Sequence, residues 1–231
     1  MCIRDRDYPT SNLQPWELKH RGRLTAQEIK ENPIVSSCYA FKEDAKHFFV
    51  KDKDHPYNQI KPFDWIRGYQ VGGKSIMWAR QVQRWSPYDF EGPARDGFAV
   101  DWPIRYKDLE NWYSYVERFV GVSGNKDGLE ILPDGEFLKP WETNVVEEYF
   151  SNQVKKHYRD RYVIYGRCAH LTESRPIFIK QGRGLCMSRR VCQRGCSLGG
   201  YFNANSTLIP WALNTGNLLS LIHISEPTRP Y

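Results

Sequence analysis

The sequence predicts an α/β (α+β) fold that is one piece of a larger protein. Two helical stretches, two short extended runs and a core-forming composition predict it. Apolar side chains at 109, 112, 113, 116, 119 and 120 keep the three-to-four spacing of a helix. Phe48-Phe49-Val50 and Tyr162-Val163-Ile164-Tyr165 read as short strands. Eight Trp, 14 Tyr and 11 Phe in 231 residues are too much aromatic surface to leave in water. They exclude a disordered chain.

The first 60 residues are polar and irregular. Their one helix begins at Thr25, a cap with Glu28 three residues on, and stops before Pro33. Residues 42–55 are densely charged around Phe48-Phe49-Val50 and read as a solvated strand and turn rather than a binding patch. Arg67-Gly68-Tyr69-Gln70-Val71-Gly72-Gly73-Lys74-Ser75 has the glycines and small hydroxyl of a close backbone approach, or simply of a turn. Trp102-Pro103 opens the clearest helix and Gly121 stops it. Leu132-Pro133-Asp134-Gly135 is a turn. Residues 144–158 form a second helix with Val145, Val146, Tyr149, Phe150 and Val154 on one side. Residues 181–200 are a loop rich in Gly, Arg and Cys, and a last helix spans 206–213 despite Pro210.

Composition also narrows the function classes. No apolar run approaches the roughly 20 residues of a membrane helix. The net charge of +6 comes from scattered basic residues interleaved with acids, so no nucleic-acid partner is expected. Six Cys do not make a disulfide scaffold. The two ends read as non-native. Met1-Cys2-Ile3-Arg4-Asp5-Arg6 and Leu219-Ser220-Leu221-Ile222-His223-Ile224 can be encoded by one nucleotide sequence and its reverse complement, and they look like a sequencing adaptor. Residues 1–6 and 219–231 are therefore set aside as adaptor-derived.

Arg67-Gly68-x-x-Val71-Gly72-Gly73-x-Ser75, then Trp78, then Trp102-Pro103-Ile104, resembles the glucose-methanol-choline (GMC) family of flavin oxidoreductases. Its sugar- and gluconate-dehydrogenase-like bacterial branch is the nearest likeness. That branch is matched by Trp85-Ser86-Pro87-Tyr88-Asp89-Phe90, Gly121-Val122-Ser123-Gly124, Leu132-Pro133-Asp134-Gly135 and Tyr201-Phe202-x-x-Asn205-Ser206-x-x-x-Pro210-x-Ala212. The resemblance implies an incomplete two-domain flavoprotein. Residues 7–100 would be part of a Rossmann-like FAD-binding domain with its glycine lid, and residues 101–218 the start of the substrate domain.

It further implies FAD at Arg67, Val71, Gly72, Gly73, Ser75, Met77 and Trp78. The substrate would be the hydroxyl of a sugar, polyol or sugar acid, with a cytochrome or small subunit as electron acceptor. Met77 stands where some members carry the histidine that bonds flavin covalently, so bound FAD would be non-covalent. The family's G-x-G-x-x-G and its catalytic histidine are not matched, and no catalytic residue is assigned; the isolated chain should be inactive.

Cys186-x5-Cys192-x3-Cys196 sits among Arg183, Arg189, Arg190 and Arg194. Three readings stay open. The resemblance implies a [3Fe–4S] cluster on these three thiolates, with the arginines offsetting its charge. Met187 and Ser197 depart from the family's loop, while Gly199 keeps to it. Zinc would want a fourth ligand. The third reading is reduced thiols in an ordered loop. Cys38 and Cys168 read as small buried hydrophobes, and His170 as a core or capping histidine rather than a ligand. Trp102, Trp112, Tyr113 and Tyr115 would line either a core or a sugar-stacking surface. The rival to the flavoenzyme is a non-enzymatic metal- or nucleic-acid-binding module built on the Cys/Arg loop. Either compartment suits the cysteine usage.

Overall fold

In the computed structural model the described residues are 8–219; the adaptor-like residues 1–6 and 220–231 lie outside them. Seven α-helices occur there: α1 (Ala26–Glu31), α2 (Pro87–Phe90), α3 (Gly92–Asp96), α4 (Tyr106–Val120), α5 (Val145–His157), α6 (Pro176–Lys180) and α7 (Leu208–Leu213). One-turn 3-10 segments and long irregular stretches join them. Among the described residues none of these helices is long and apolar enough to cross a membrane.

The helix boundaries follow from local chemistry. Thr25 caps α1: its hydroxyl accepts from the Glu28 N–H at 3.2 Å, and the Glu28 carboxylate accepts from the Thr25 N–H at 2.9 Å. Asn144 caps α5 by accepting from the N–H groups of Val146 and Glu147. Gly121 ends α4 in the left-handed region at φ 78°, where its N–H reaches the Glu117 carbonyl at 2.9 Å.

The β half of the predicted α/β class is the main correction. Among the described residues there are only isolated bridges, Gln81–Cys168, Ser123–Leu138, Ser123–Cys168, Leu129–Leu132 and His170–Tyr201. Around residues 167–171 these tie together short extended pieces: Val82 N–H bonds the Arg167 carbonyl, Ala169 N–H the Arg80 carbonyl, and Phe202 N–H the Ala169 carbonyl, all within 2.9 Å. The pieces never lengthen into ladders because Arg80 takes φ 66° on one side and Gly121 reverses the chain on another. The predicted strand at 162–165 takes no regular secondary structure and forms no bridge. The predicted solvated strand at 48–50 is instead core: Lys46–Phe48 is a 3-10 turn, and Phe48, Phe49 and Val50 are buried.

Three apolar clusters make the interior. The first gathers Val35, Phe41, Phe48, Phe49, Ile76 and Met77. The second gathers Val120, Val122 and Ala169, with Trp78, Phe119 and Phe202 against them. Leu138, Leu171 and Phe178 form the third. Two helix faces depart from expectation. Val145, Val146, Tyr149 and Phe150 of α5 are all exposed, and Trp112 of α4 is 65% exposed. The buried α4 face is instead Tyr106, Glu117 and Val120. Helical spacing alone does not put an aromatic into a core.

Glu28 links α1 to the first cluster. Its carboxyl is held down to about 2, first by the Lys46 ammonium and then by the Thr25 N–H. A carboxyl depressed on folding stabilises above its unfolded value, and that support fades as pH falls through its folded value. Glu28→Gln is expected to remove the part of the acid-stability loss lying between pH about 4.5 and about 2. An unchanged acid limb in pH-dependent urea unfolding would contradict the assignment.

Candidate functional site: the glycine segment and the cysteine loop

The glycine segment is stitched between two of the apolar clusters. Ile76 and Met77 enter the first and Trp78 packs against the second. Between them the chain turns as the 3-10 segment Gly73–Ile76, entered through Gly72 at φ 87°. A Cβ on Gly72 would lie 2.5 Å from the Asn205 side-chain oxygen, so any larger residue must displace Asn205 as well as hold a left-handed backbone. Gly73 has φ 51° and nothing within 4 Å of where its Cβ would be. The open side is its Cα face; its N–H donates to the Gln70 carbonyl at 2.9 Å and its carbonyl accepts from Gln70 Nε2 at 3.3 Å.

The other predicted contact residues brace this turn. The Ser75 hydroxyl donates to the Gly72 carbonyl at 2.6 Å and accepts from the Ala204 N–H at 3.0 Å. Trp78 Nε1 donates to the Phe202 carbonyl at 2.9 Å, and Met77 is buried. Val71 is half-buried. Arg67 is buried in an aromatic cage, its guanidinium 4.5 Å from the Trp65 ring and 5.4 Å from that of Tyr57. It donates to the His55 carbonyl and the Tyr69 hydroxyl, while its Nε is buried without a partner.

Folding brings residues 201–206 onto the glycine segment. Tyr201 is buried and its hydroxyl donates to the Ile76 carbonyl at 2.5 Å. Burial, with the neighbouring Tyr8 and cysteines, pushes that phenol well above the usual range, so it stays a donor. Tyr201→Phe strands a carbonyl in the interior and is expected to cost about 1–3 kcal/mol in urea unfolding. A neutral result would mean that water replaces the hydroxyl.

Tyr201 also reaches the cysteine loop. Cys186, Cys192, Cys196, His170 and Tyr201 line one cavity of about 30 Å³. Burial first, and then the nearby Cys186 and Cys196, pushes the Cys192 thiol up, while the Arg80 guanidinium works the other way. Burial pushes His170 down, and its Nε2 accepts from Trp141 Nε1 at 3.1 Å. Arg183 is buried with no carboxylate: it donates to the carbonyls of Gly199 and Val120 and to Gln181. Burial lowers it to about 10. The other arginines differ in use. Arg194 pairs with Asp44 at 2.6 Å, and Arg189 donates to Asn12 and Ser197. With Arg183 buried and Arg194 paired, Arg189 and Arg190 are the exposed cations of the loop.

The cluster fit is therefore partial. Three thiols share a cavity beside the cations Arg80 and Arg183. Yet among the described residues no three His, Cys, Asp or Glu side chains stand where they could hold a metal ion. A 30 Å³ space admits a water or two, not three irons with their sulfides. As the chain is folded, these residues do not fit the cluster.

Three buried arginine networks had no counterpart in the sequence reading. Arg84 clamps Glu117 through two bonds of 2.7 and 2.8 Å, and also donates to Tyr106 and Ser114. Arg167 anchors the 132–134 turn through the carbonyls of Pro133 and Leu132 and the Asp134 carboxylate. Arg183 is the third. The available signal was Glu117, a carboxylate on the same helical stripe as Tyr106, Tyr113 and Val120.

No family model matches the chain. Over 139 residues, 58% of its length, it is 29% identical to the fructose dehydrogenase large subunit of Gluconobacter japonicus. The chain spans about a quarter of that relative's length. This chain is thus distantly and partially similar to a subunit of a sugar dehydrogenase.

Proposed function

We propose that the chain is part of a GMC-type, FAD-dependent dehydrogenase that oxidises a hydroxyl of a sugar, polyol or sugar acid. The observation that carries this is the junction of Gly72-Gly73 with Tyr201–Asn205, two motif segments some 130 positions apart in sequence that fold onto one another. The likeness to a fructose dehydrogenase subunit supports the sugar class.

The residues fit a planar or anionic cofactor in one specific way. Gly73 offers an open Cα face on which a flat group can lie, and Gly72 fixes its direction by closing on Asn205. Ser75, Met77 and Trp78 hold the turn rigid from behind, which is what positioning a cofactor requires. FAD, when bound, supplies the hydride acceptor. Met77 is buried in the apolar interior and has no nucleophilic group, so the flavin is held non-covalently at this position. The electron acceptor would be a cytochrome or a small subunit.

The test is to amplify outward from residues 63–217 in the source DNA and express the longer reading frame. The expected product carries G-x-G-x-x-G upstream and a histidine downstream. Its purified protein shows flavin absorption that bleaches on adding a sugar. A frame without the dinucleotide fingerprint, giving a colourless protein, would overturn the proposal. The 231-residue chain alone is expected to show no turnover.

A further inference from the structure

Cys186, Cys192 and Cys196 share a cavity without metal-holding geometry, and the disagreement points to a different chemistry. All three are reduced and partly accessible, so a small solute can reach them. The cavity between them is about 30 Å³, so no more than a water or two separates their walls.

The backbone favours closure around Cys192. It begins the 3-10 turn Cys192–Arg194, and Gly195, at φ 81°, reverses the chain and returns Cys196 to the same cavity. On the other side the Cys186 N–H is anchored to the Leu171 carbonyl at 2.9 Å. The span 187–190 between the two cysteines is fully exposed, with Ser188 and Arg190 already at φ 52° and 59°. Arg189 tethers it by donating to Asn12 and Ser197, so a shift of the span exchanges those two exposed bonds and uncovers no buried side chain of its own. The Arg80 guanidinium, 5.6 Å from the Tyr201 ring, brings positive charge to the cavity wall and offsets part of the upward push that burial gives the Cys192 thiol.

We propose that Cys192 forms a reversible intraloop disulfide with a loop neighbour, Cys186 or Cys196, when the protein meets a small-molecule disulfide. A loop thiolate attacks one sulfur of oxidised glutathione and expels a glutathione thiolate. The neighbouring thiolate then attacks the protein sulfur of the mixed disulfide and expels the second glutathione. The protein loses two thiol protons and two electrons, and one oxidised glutathione becomes two reduced ones. Closure leaves a single loop thiol, so any three-thiolate donor set is removed by oxidation and restored by reduction. The loop is joined to the glycine segment through Tyr201.

The test uses the full reduced chain, treated natively with excess oxidised glutathione and mapped by peptide mass spectrometry without reduction. The expected map shows Cys192 cross-linked to Cys186 or Cys196, with the loop thiols falling from three to one. Cys192→Ser should abolish that cross-link and leave a stable glutathione adduct on the loop. Three free loop thiols in the parent protein would overturn the proposal. Glutathione adducts alone, or a cross-link lacking Cys192, would do so equally. If the variant fails to fold by circular dichroism, the parent map decides. None of these outcomes depends on flavin.

Discussion

Replacing Arg84 with methionine is expected to lower the unfolding free energy by about 3–5 kcal/mol, measured by urea denaturation. The pair it breaks is almost wholly buried, with side-chain exposures of 3% and 4%. Glu117 would keep only the Glu136 N–H at 2.8 Å as a donor to its carboxylate. It would become an unpaired charge in a dry site, packed so closely that a Cβ on Gly135 would lie 2.5 Å from it. The pair itself contributes much less than the penalty for breaking it, because its own desolvation offsets most of its attraction. The double variant Arg84→Met/Glu117→Met should therefore recover most of the loss. A double variant as unstable as the single one would show that shape, not charge, makes the site sensitive.

Gly72→Ala is expected to cost about 2–4 kcal/mol, the sum of a left-handed backbone penalty and an overpacking term. The backbone term comes from φ 87°, and the packing term from Asn205 at 2.5 Å. Gly73→Ala separates the two. It carries a positive φ but meets nothing within 4 Å, so it should cost only about 1–2 kcal/mol. Asn205→Ala in the Gly72→Ala background should return the packing part alone. In a flavin-loaded longer protein the order should invert for cofactor affinity, because Gly73 is the glycine whose Cα face is open to a ligand that a methyl group would meet. Equal stability losses at both glycines would discard this division of roles.

Local chemistry was legible wherever it decides structure by itself. The Thr25–Glu28 cap, the Gly121 stop and the capped start of α5 at Asn144 all appear as their residues require. Each depends on contacts within four residues. The glycine segment was likewise legible as a turn, since Gly72 and Gly73 both take positive φ.

What lay further apart in sequence was not legible. Phe48-Phe49-Val50 is flanked by charge on both sides like a solvated strand, yet Phe48 and Phe49 are buried in one cluster with Ile76 and Met77. Val145, Val146, Tyr149 and Phe150 share one side of α5 and remain exposed, because periodicity orients side chains but cannot supply a partner surface. Cys168, read as a lone thiol, accepts from Gln81 Nε2 at 3.1 Å, and its segment carries His170 to the cysteine cavity. Short-range chemistry sets the caps, the stops and the residue types able to ligate or cradle. Which of them meet is settled by long-range packing. Burial of Arg84, Arg167 and Arg183 depends on acceptors 16 to 63 positions away, and no local pattern encodes where those acceptors come to rest.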